Sequence, residues 1–293
     1  MQEAGISCII GPINFQEYRM KRFITISLAV LAIFSISLTS CNKAVKNDGS
    51  GKDTSLETIK AKGKLVLGLD DAFPPMGYRN ENNEIVGYDV DLAKEVAKRL
   101  GVELILQPID WNAKEQELNT GKIDCIWNGF TITEERAKNM AFTKPYLKNA
   151  QVLVVKKSAP YQTLADLKGK AVGLQAGSSA AEALDGAAEF KASLKNVVEF
   201  KDNLTALMDL EVGGVDAVIM DLIVANDNIK RAGKDYRILA ESLSAEDYGV
   251  GFRKNDLALR DAVQATLEAM AKDGSLADIT TRWFGSDISV VSK

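Results

Sequence analysis

The alternation of short apolar runs with helical patterns constrains the fold most strongly, and it begins at Leu65. Residues 65–70 (LVLGLD) are typical of a buried strand. Residues 89–101 (DVDLAKEVAKRLG) predict a helix with Asp89 as its N-cap and Gly101 just past its end. Such an alternation predicts parallel sheets that are covered by helices on both faces, and therefore an α/β protein.

The same order of elements continues along the chain. Further strands are predicted at 102–109, 123–128, 170–175, 197–200, 215–221, 236–242 and 248–252, and further helices near 113–120, at 164–169, at 204–212 and in a tail from 255 to 284. The chain has 293 residues. This is long enough for two lobes of roughly 100 to 120 residues each.

Composition excludes several classes of function. The chain contains no histidine, so Ser-His-Asp and Cys-His catalysis and histidine-ligated metal sites are excluded, while carboxylate or lysine chemistry remains open. Its net charge of -4 gives no basic patch for nucleic acid. Cys8, Cys41 and Cys125 are far apart, so they indicate neither a disulfide framework nor a metal site. Cys125 is expected in the core, and no cofactor is expected.

The amino-terminal segment is typical of a secretory signal. Residues 20–40 have two basic residues, an apolar stretch and then small residues, a run too short to span a membrane comfortably. Residues 38–41 (LTSC) resemble the lipobox of bacterial lipoproteins, which implies a lipid anchor on Cys41 as the first mature residue. We assign 1–40 to a leader and 41–55, rich in small and charged residues, to a flexible tether. The alternative is a membrane-anchoring helix with an incidental cysteine.

Polar residues follow four of the predicted strands. They are Asp70, the segment 129–133, the segment 175–179, and Asp221. In open parallel sheets the ligand crevice lies beyond the carboxyl ends of the strands. Two of these segments fall in each half of the chain, so we expect a cleft between two lobes.

The residues in this cleft suit a zwitterion such as a free amino acid. Arg136 has the planar fork that binds a carboxylate bidentately, and Thr131 and Thr133 add hydroxyl donors. The turn at 176–179 (AGSS) offers amides and hydroxyls to the same carboxylate. Asp221 can accept from an ammonium.

Each of these residues also has an ordinary structural interpretation. Arg136 would be a solvated surface arginine, Thr133 only the N-cap of a helix that begins at Glu134, and Asp221 the cap of the next helix. Phe73 and Trp111 would be core residues.

Six ordered stretches resemble the polar amino-acid-binding proteins of bacterial ABC importers, over nearly all of residues 56–285. They are residues 68–78 (GLDDAFPPMGY), 86–101 (VGYDVDLAKEVAKRLG), 121–146 (GKIDCIWNGFTITEERAKNMAFTKPY), 167–179 (LKGKAVGLQAGSS), 214–221 (GVDAVIMD) and 273–285 (DGSLADITTRWFG). The resemblance implies the two-lobed periplasmic-binding-protein fold (type II), which closes on its ligand by a hinge. It implies one lobe at 56–147 and 248–293, a second at 148–247, and crossovers near 146–150 and 244–248.

The resemblance also implies roles for individual residues. In it Arg136 binds the ligand carboxylate with Thr131, Thr133, Ser178 and Ser179. The carboxylate of Asp221 and the carbonyl of Gly129 receive the ammonium.

The remaining positions concern the ligand side chain. Phe73 and Trp111 enclose it and Asp70 lies at its polar end, while Asn128 departs from the small residues common in the family. Gln175 occupies a position that varies with the ligand. A cationic side chain would suit Asp70 and the rings, whereas glutamine or cystine would suit Asp70 and Asn128, and the sequence leaves the three classes open.

The leading hypothesis is a non-catalytic receptor that is held outside the cytoplasm by its lipid anchor. It would capture a free polar amino acid as a monomer and deliver it to the permease subunits of an ABC importer. One alternative is an enzyme on the same fold, similar to cyclohexadienyl dehydratase, with Asp70 as its acid. Another is an amino-acid sensor module.

Overall fold

The computed structural model describes residues 52–291. The expected leader, the lipid-anchor residue Cys41 and nearly all of the tether lie outside the described residues. Between residues 52 and 291 no helix is long and apolar enough to cross a membrane.

Strands and helices alternate through the described chain. The first part contains α1 (Ser55–Lys62), β1 (Lys64–Leu69), β2 (Ala72–Phe73), β3 (Gly77–Arg79), β4 (Ile85–Val86), α2 (Tyr88–Leu100), β5 (Glu103–Pro108), a 3-10 turn (Trp111–Ala113), α3 (Lys114–Asn119), β6 (Cys125–Ile126), α4 (Glu134–Asn139) and β7 (Met140–Phe142). The second part contains β8 (Leu147–Lys156), a 3-10 turn (Leu164–Leu167), β9 (Ala171–Gln175), α5 (Ser179–Gly186), α6 (Ala188–Ser193), β10 (Asn196–Phe200), α7 (Asn203–Val212), β11 (Ala217–Asp221), α8 (Leu222–Ala232) and β12 (Tyr236–Tyr248). The chain then forms β13 (Gly251–Arg253), α9 (Leu257–Asp273) and α10 (Ser275–Phe284).

Two five-stranded sheets form the two lobes. The first has the order β5-β1-β6-β13-β7, and the second has the order β10-β9-β11-β8-β12. Strand β1 runs parallel to β5 and β6, and β9 runs parallel to β10 and β11. Strands β13 and β8 are antiparallel to their neighbours, so both sheets are mixed. A hairpin-like sheet of β2, β3 and β4 stands beside them.

Two long neighbouring strands connect the two sheets along the chain. Strand β8 follows β7 of the first sheet and β12 precedes β13 of that sheet, and β8 and β12 pair in antiparallel register from Tyr236 opposite Lys156 to Tyr248 opposite Leu147. The carboxyl ends of β1, β9 and β11 therefore meet near these strands, and this places their polar end residues together.

Helix α2 shows how the apolar pattern builds the core. Its predicted stripe of Leu92, Val96 and Leu100 faces inward, with Leu92 and Val96 fully buried and Leu100 packed at the core edge. The helix ends at Gly101, whose φ of 74° is left-handed, as expected for a glycine past a helix end. The predicted N-cap was wrong: the cap position is Gly87, and Asp89 lies inside the helix with 1% of its surface exposed.

Several predicted element boundaries were also wrong. The strand at 123–128 is reduced to Cys125–Ile126, and the strand predicted to end at 242 continues to Tyr248. The helical tail is two helices, because Gly274 breaks it with a φ of 87°. The buried position of Cys125 is confirmed, since none of its surface is exposed.

Candidate functional site

Polar side chains from both lobes converge on one small cavity. Its lining contains eleven of the twelve residues predicted from sequence: Asp70, Phe73, Trp111, Asn128, Gly129, Thr131, Arg136, Gln175, Ser178, Ser179 and Asp221. The free space inside it is about 10 Å³, which is room for about one water molecule. The side chains of the two lobes therefore nearly fill the cavity, and a ligand of amino-acid size requires the lobes to move apart.

Thr133 is the predicted residue that the structure leaves out of this cavity. Its Oγ1 accepts from the Arg136 amide at 3.2 Å and caps helix α4, which begins at Glu134. It faces a larger neighbouring groove instead. Of its two predicted roles, the structure shows the cap.

Arg136 is a buried cation, so its interpretation as a solvated surface residue was wrong. Only 4% of its surface is exposed, and its guanidinium lies 4.6 Å from the centre of the Phe130 ring. One terminal nitrogen donates to the Thr131 carbonyl at 2.9 Å, and the other lies 3.4 Å from Glu182, which is 42% exposed. Burial lowers the pKa of Arg136, and the charge of Glu182 only partly offsets this. A buried guanidinium that has only a solvated carboxylate beside it favours a second anion.

Asp221 provides a buried carboxylate in the same cavity. Its Oδ1 accepts from Asn149 Nδ2 at 2.6 Å and from the Tyr248 hydroxyl at 2.7 Å. Burial, and then the charge of Glu246, raise the pKa of Asp221 to about 7. Asp221 occupies the N-cap position of helix α8, as its structural interpretation expected, but its side chain makes no capping hydrogen bond there.

Asp70 is a second buried carboxylate and has no ion-pair partner in the described part of the chain. It accepts from the Ala72 amide at 2.9 Å and from Gln175 Nε2 at 2.7 Å. Burial raises the pKa of Asp70, and the like charges of Asp202 and Asp71 add to this effect. Its surroundings therefore favour a cation.

Asn128 and Gly129 shape the wall between these carboxylates. Asn128 Oδ1 accepts from the Asp70 amide at 3.1 Å, and its buried Nδ2 has no partner among residues 52–291. Gly129 has a φ of 55°, and a Cβ there would stand 2.9 Å from the Phe73 ring and 3.1 Å from the Tyr248 ring. Only glycine fits this position without strain.

The second lobe closes the cavity through residues 175–179. Ser178 Oγ donates to the Gln175 carbonyl at 2.7 Å, and Ser179 Oγ lies 3.1 Å from Thr131 Oγ1. Together with the contact between Gln175 and Asp70, this brings the two sheets into direct contact across the cleft.

The aromatic residues of the cavity are both largely buried. Phe73 is 5% exposed and Trp111 is 8% exposed. Trp111 packs against Phe130 edge-on at 5.7 Å, and Lys114 Nζ lies 5.3 Å from the centre of its ring. The aromatic wall therefore already carries one cation.

Sequence reasoning missed five polar residues that support the cavity: Asp89, Lys114, Asn149, Gln151 and Glu246. Asp89 Oδ2 accepts from the Gly129 amide at 2.6 Å and the Tyr146 hydroxyl at 2.9 Å. Lys114 Nζ donates to the Gly177 carbonyl at 2.7 Å, and burial lowers its pKa to about 8. A signal existed for Asn149 and Gln151, which are polar at alternate positions of a strand and directly precede its apolar run at 152–155.

The described chain offers no obvious catalytic metal centre. Between residues 52 and 291 no group of three or more Cys, Asp or Glu side chains could hold a metal ion. The chemistry available at the cavity is that of one buried guanidinium, two buried carboxylates and several neutral donors, which is suited to binding a small polar molecule.

The fold and this cavity define a class of binding protein. The sequence pattern of the bacterial extracellular solute-binding proteins, family 3, matches residues 65–286. The chain belongs to that family.

Three relatives are similar to this chain over most of its length. The L-cystine-binding protein of Escherichia coli (strain K12) is 33% identical over 236 residues, which are 80% of this chain and 87% of that protein. The crystal structure of Tv2483 bound to L-arginine has a TM-score of 0.79 and 36% identity, covering 83% of this chain and 99% of that one. A substrate-binding protein of an ABC uptake transporter from Streptococcus pneumoniae, with bound histidine, has a TM-score of 0.79 and 35% identity, covering 81% and 98%.

Proposed function

We propose that this protein is the substrate-binding component of an ABC importer and that it captures a free polar L-amino acid between its two lobes. The observation that carries the proposal is the presence of Arg136 and Asp221, two buried side chains of opposite charge, in the lining of one cavity. A zwitterion offers each of them its missing counter-charge.

The α-carboxylate is assigned to Arg136. Its guanidinium is buried and the nearby Glu182 is partly solvated, so a bidentate carboxylate would compensate it far better. Thr131, Ser178 and Ser179 line the same side and add hydroxyl and amide donors. Thr133 contributes by fixing the first turn of α4, and with it the Arg136 backbone.

The α-ammonium is assigned to Asp221, with the carbonyl of Gly129 as a second acceptor. Asp221 already accepts two hydrogen bonds through Oδ1, so Oδ2 remains for the ligand. The left-handed backbone at Gly129 lets the chain pass close to the ligand without a side chain.

The ligand side chain is assigned to the Asp70 end of the cavity, and we infer that it is cationic. Asp70 has no ion-pair partner between residues 52 and 291, and the charges of Asp202 and Asp71, which add to the effect of burial in raising its pKa, are also negative. A guanidinium or ammonium group would relieve the cost of burying this carboxylate. Histidine, arginine and lysine therefore fit better than glutamine or cystine, which leave that charge uncompensated.

We further propose bounds for the two lobes, a lipid anchor and the partner subunits of this receptor. The lobes are assigned to 56–147 with 248–293 and to 148–247, and Cys41 is assigned as the lipid anchor that holds the protein to a membrane outside the cytoplasm. The partners are then the permease subunits of the importer. Metabolic labelling with a palmitate analogue tests the anchor, since Cys41→Ser must abolish the label.

A dehydratase is the second candidate, because burial raises the pKa of Asp70 and a protonated carboxyl there could act as a general acid. Among the described residues that line the cavity, Asp70 and Asp221 are the acidic ones, and Asp221 is assigned to the ammonium. Incubation with prephenate or arogenate separates the two functions: the receptor yields no aromatic product.

Titration calorimetry tests the proposed function. The purified protein is titrated with the common amino acids, ornithine and cystine, and tryptophan fluorescence follows Trp111 in parallel. The proposal expects micromolar or tighter binding of a cationic amino acid, on the order of −8 kcal/mol. Failure to bind any of these compounds would refute it.

A further inference from the structure

Glu246 lies on β12 in the segment that joins the lobes, outside the lining of the cavity. Its Oε2 nevertheless accepts three hydrogen bonds, each at 3.0 Å, from Thr131 Oγ1, Asn149 Nδ2 and Gln151 Nε2. Thr131 belongs to the first lobe, whereas Asn149 and Gln151 lie on β8. One carboxylate oxygen therefore ties the first lobe to both connecting strands.

Each of the three donors either lines the ligand cavity or donates to a residue that lines it. Asn149 Nδ2 donates to Asp221 Oδ1 at 2.6 Å, and Gln151 Nε2 donates to Ser179 Oγ at 3.2 Å. Thr131 lines the cavity itself and lies 3.1 Å from Ser179. Because an amide nitrogen has two hydrogens, the contact with Glu246 fixes which way the other hydrogen points.

We propose that Glu246 is a positioning residue for amino-acid binding, which orients Thr131, Asn149 and Gln151 so that the ammonium and carboxylate sites are formed together when the lobes close. This inference rests on the proposed function. Nothing in the sequence motifs assigns a role to Glu246, and its side chain reaches the ligand only through these three donors.

The charge of Glu246 also acts on Asp221. Burial is the largest cause that raises the pKa of Asp221, and the charge of Glu246 is the second. The hydrogen bond from the Tyr248 hydroxyl lowers that pKa, and the Arg136 charge interacts with the same carboxylate. Removal of the Glu246 carboxylate must therefore lower the pKa of Asp221 in the ligand-free protein. This shift reports the charge of Glu246 beside Asp221, whereas the amino-acid affinity compared with the melting temperature distinguishes positioning of the donors from support of the fold.

The neighbouring residue offers a matched control. Asp247 lies on the same strand and pairs with Lys148 at 3.4 Å, where its side chain is 40% exposed. E246A and D247A thus remove the same group from adjacent positions. The two variants are compared for amino-acid affinity by calorimetry, for the titration of Asp221 by carbon-13 carboxyl NMR without ligand, and for melting temperature.

We expect E246A to weaken amino-acid binding by about tenfold or more, because three buried donors lose their acceptor, and to move the Asp221 titration to lower pH. D247A should leave both unchanged. Equal affinity in E246A and the wild type, or equal effects in E246A and D247A, would overturn the inference. If E246A does not fold, E246Q keeps the shape, removes the charge and must still shift the Asp221 titration. If the wild type binds no amino acid, the proposed function fails and the inference that rests on it fails too, whereas a wild type that binds and an E246A variant that binds equally well refute the inference alone.

Discussion

Gln175 Nε2 donates to Asp70 Oδ2 over 2.7 Å and joins the end of β9 in one lobe to the end of β1 in the other. An amide can compensate a buried carboxylate only in part, because it carries no charge. In the proposed assignment, a cationic ligand side chain would replace Gln175 as the partner of Asp70, and this replacement would connect ligand selectivity with lobe closure.

Asp70→Asn should reduce the affinity for a cationic amino acid by at least about tenfold, which is 1.4 kcal/mol, and should change the affinity for glutamine far less. The reason is the loss of the only carboxylate assigned to the side-chain end. Calorimetry with arginine, lysine, histidine and glutamine measures this. Asp71→Asn is the control, since Asp71 pairs with the partly exposed Arg79. Equal losses of affinity for arginine and glutamine would show that Asp70 does not recognise the charge of the ligand side chain.

Arg136→Ala should remove at least about 2 kcal/mol of binding free energy, because a charge-assisted bidentate contact is deleted and a ligand carboxylate is left partly unpaired. Arg136→Lys should restore only a part, since an ammonium lacks the planar fork. Arg282→Ala is the control, with its side chain 65% exposed. An unchanged dissociation constant in Arg136→Ala would contradict the assignment of the carboxylate.

Gly129→Ala should both destabilise the protein and weaken binding. A Cβ at this position meets the rings of Phe73 and Tyr248 at 2.9 and 3.1 Å, and the φ is 55°. Gly121→Ala is a matched control, because its φ is 76° but nothing lies within 4 Å of the added atom. We expect Gly121→Ala to lower the free energy of unfolding by about 1 kcal/mol, because of the left-handed backbone alone, and to leave binding unchanged. Similar losses of affinity in both variants would refute the close approach at Gly129.

The stability of the ligand-free protein should fall as the pH rises from about 4 toward 7. Burial raises the pKa of Asp89 and of Asp221 to about 7, whereas an unfolded aspartate titrates near 3.9. Between these two pKa values the folded state binds more protons than the unfolded state. Each group therefore lowers the free energy of unfolding by up to about 1.4 kcal/mol for each pH unit of increase. Thermal unfolding from pH 4 to pH 8 measures this. Asp89→Asn and Asp221→Asn should each flatten the dependence, and a slope identical to that of the wild type would show that these groups do not titrate in this range.

The sequence predicted the residues of the cavity well because they follow strands. Asp70, Gln175 and Asp221 stand at strand ends, where parallel topology brings them to one edge, and the cleft follows from that rule. The buried state of Arg136 was not predictable from its own segment, because its helix turn has the charged composition of a surface. Burial there depends on packing against Phe130 and on the opposite lobe, where Gly177 and Glu182 are distant in sequence.

The supporting residues were harder to find for a related reason. Asp89 has the type and place of an N-cap, yet the helix begins one residue earlier and turns it inward toward Gly129. Glu246 lies in a polar stretch that is typical of exposed strand or loop. Only the long pairing of β8 with β12 places it beside Asn149 and Gln151.

The proposed function requires that the protein recognises both the carboxylate and the ammonium of its ligand. Calorimetry with three matched ligands measures this. These are L-arginine, its decarboxylated form agmatine, and its N-acetylated form. We expect L-arginine to bind, and we expect each analogue to lose about a hundredfold or more in affinity, on the order of 2.7 kcal/mol, since one leaves Arg136 and the other leaves Asp221 without its counter-charge. Binding of agmatine or the acetylated form as tight as that of L-arginine would contradict the account.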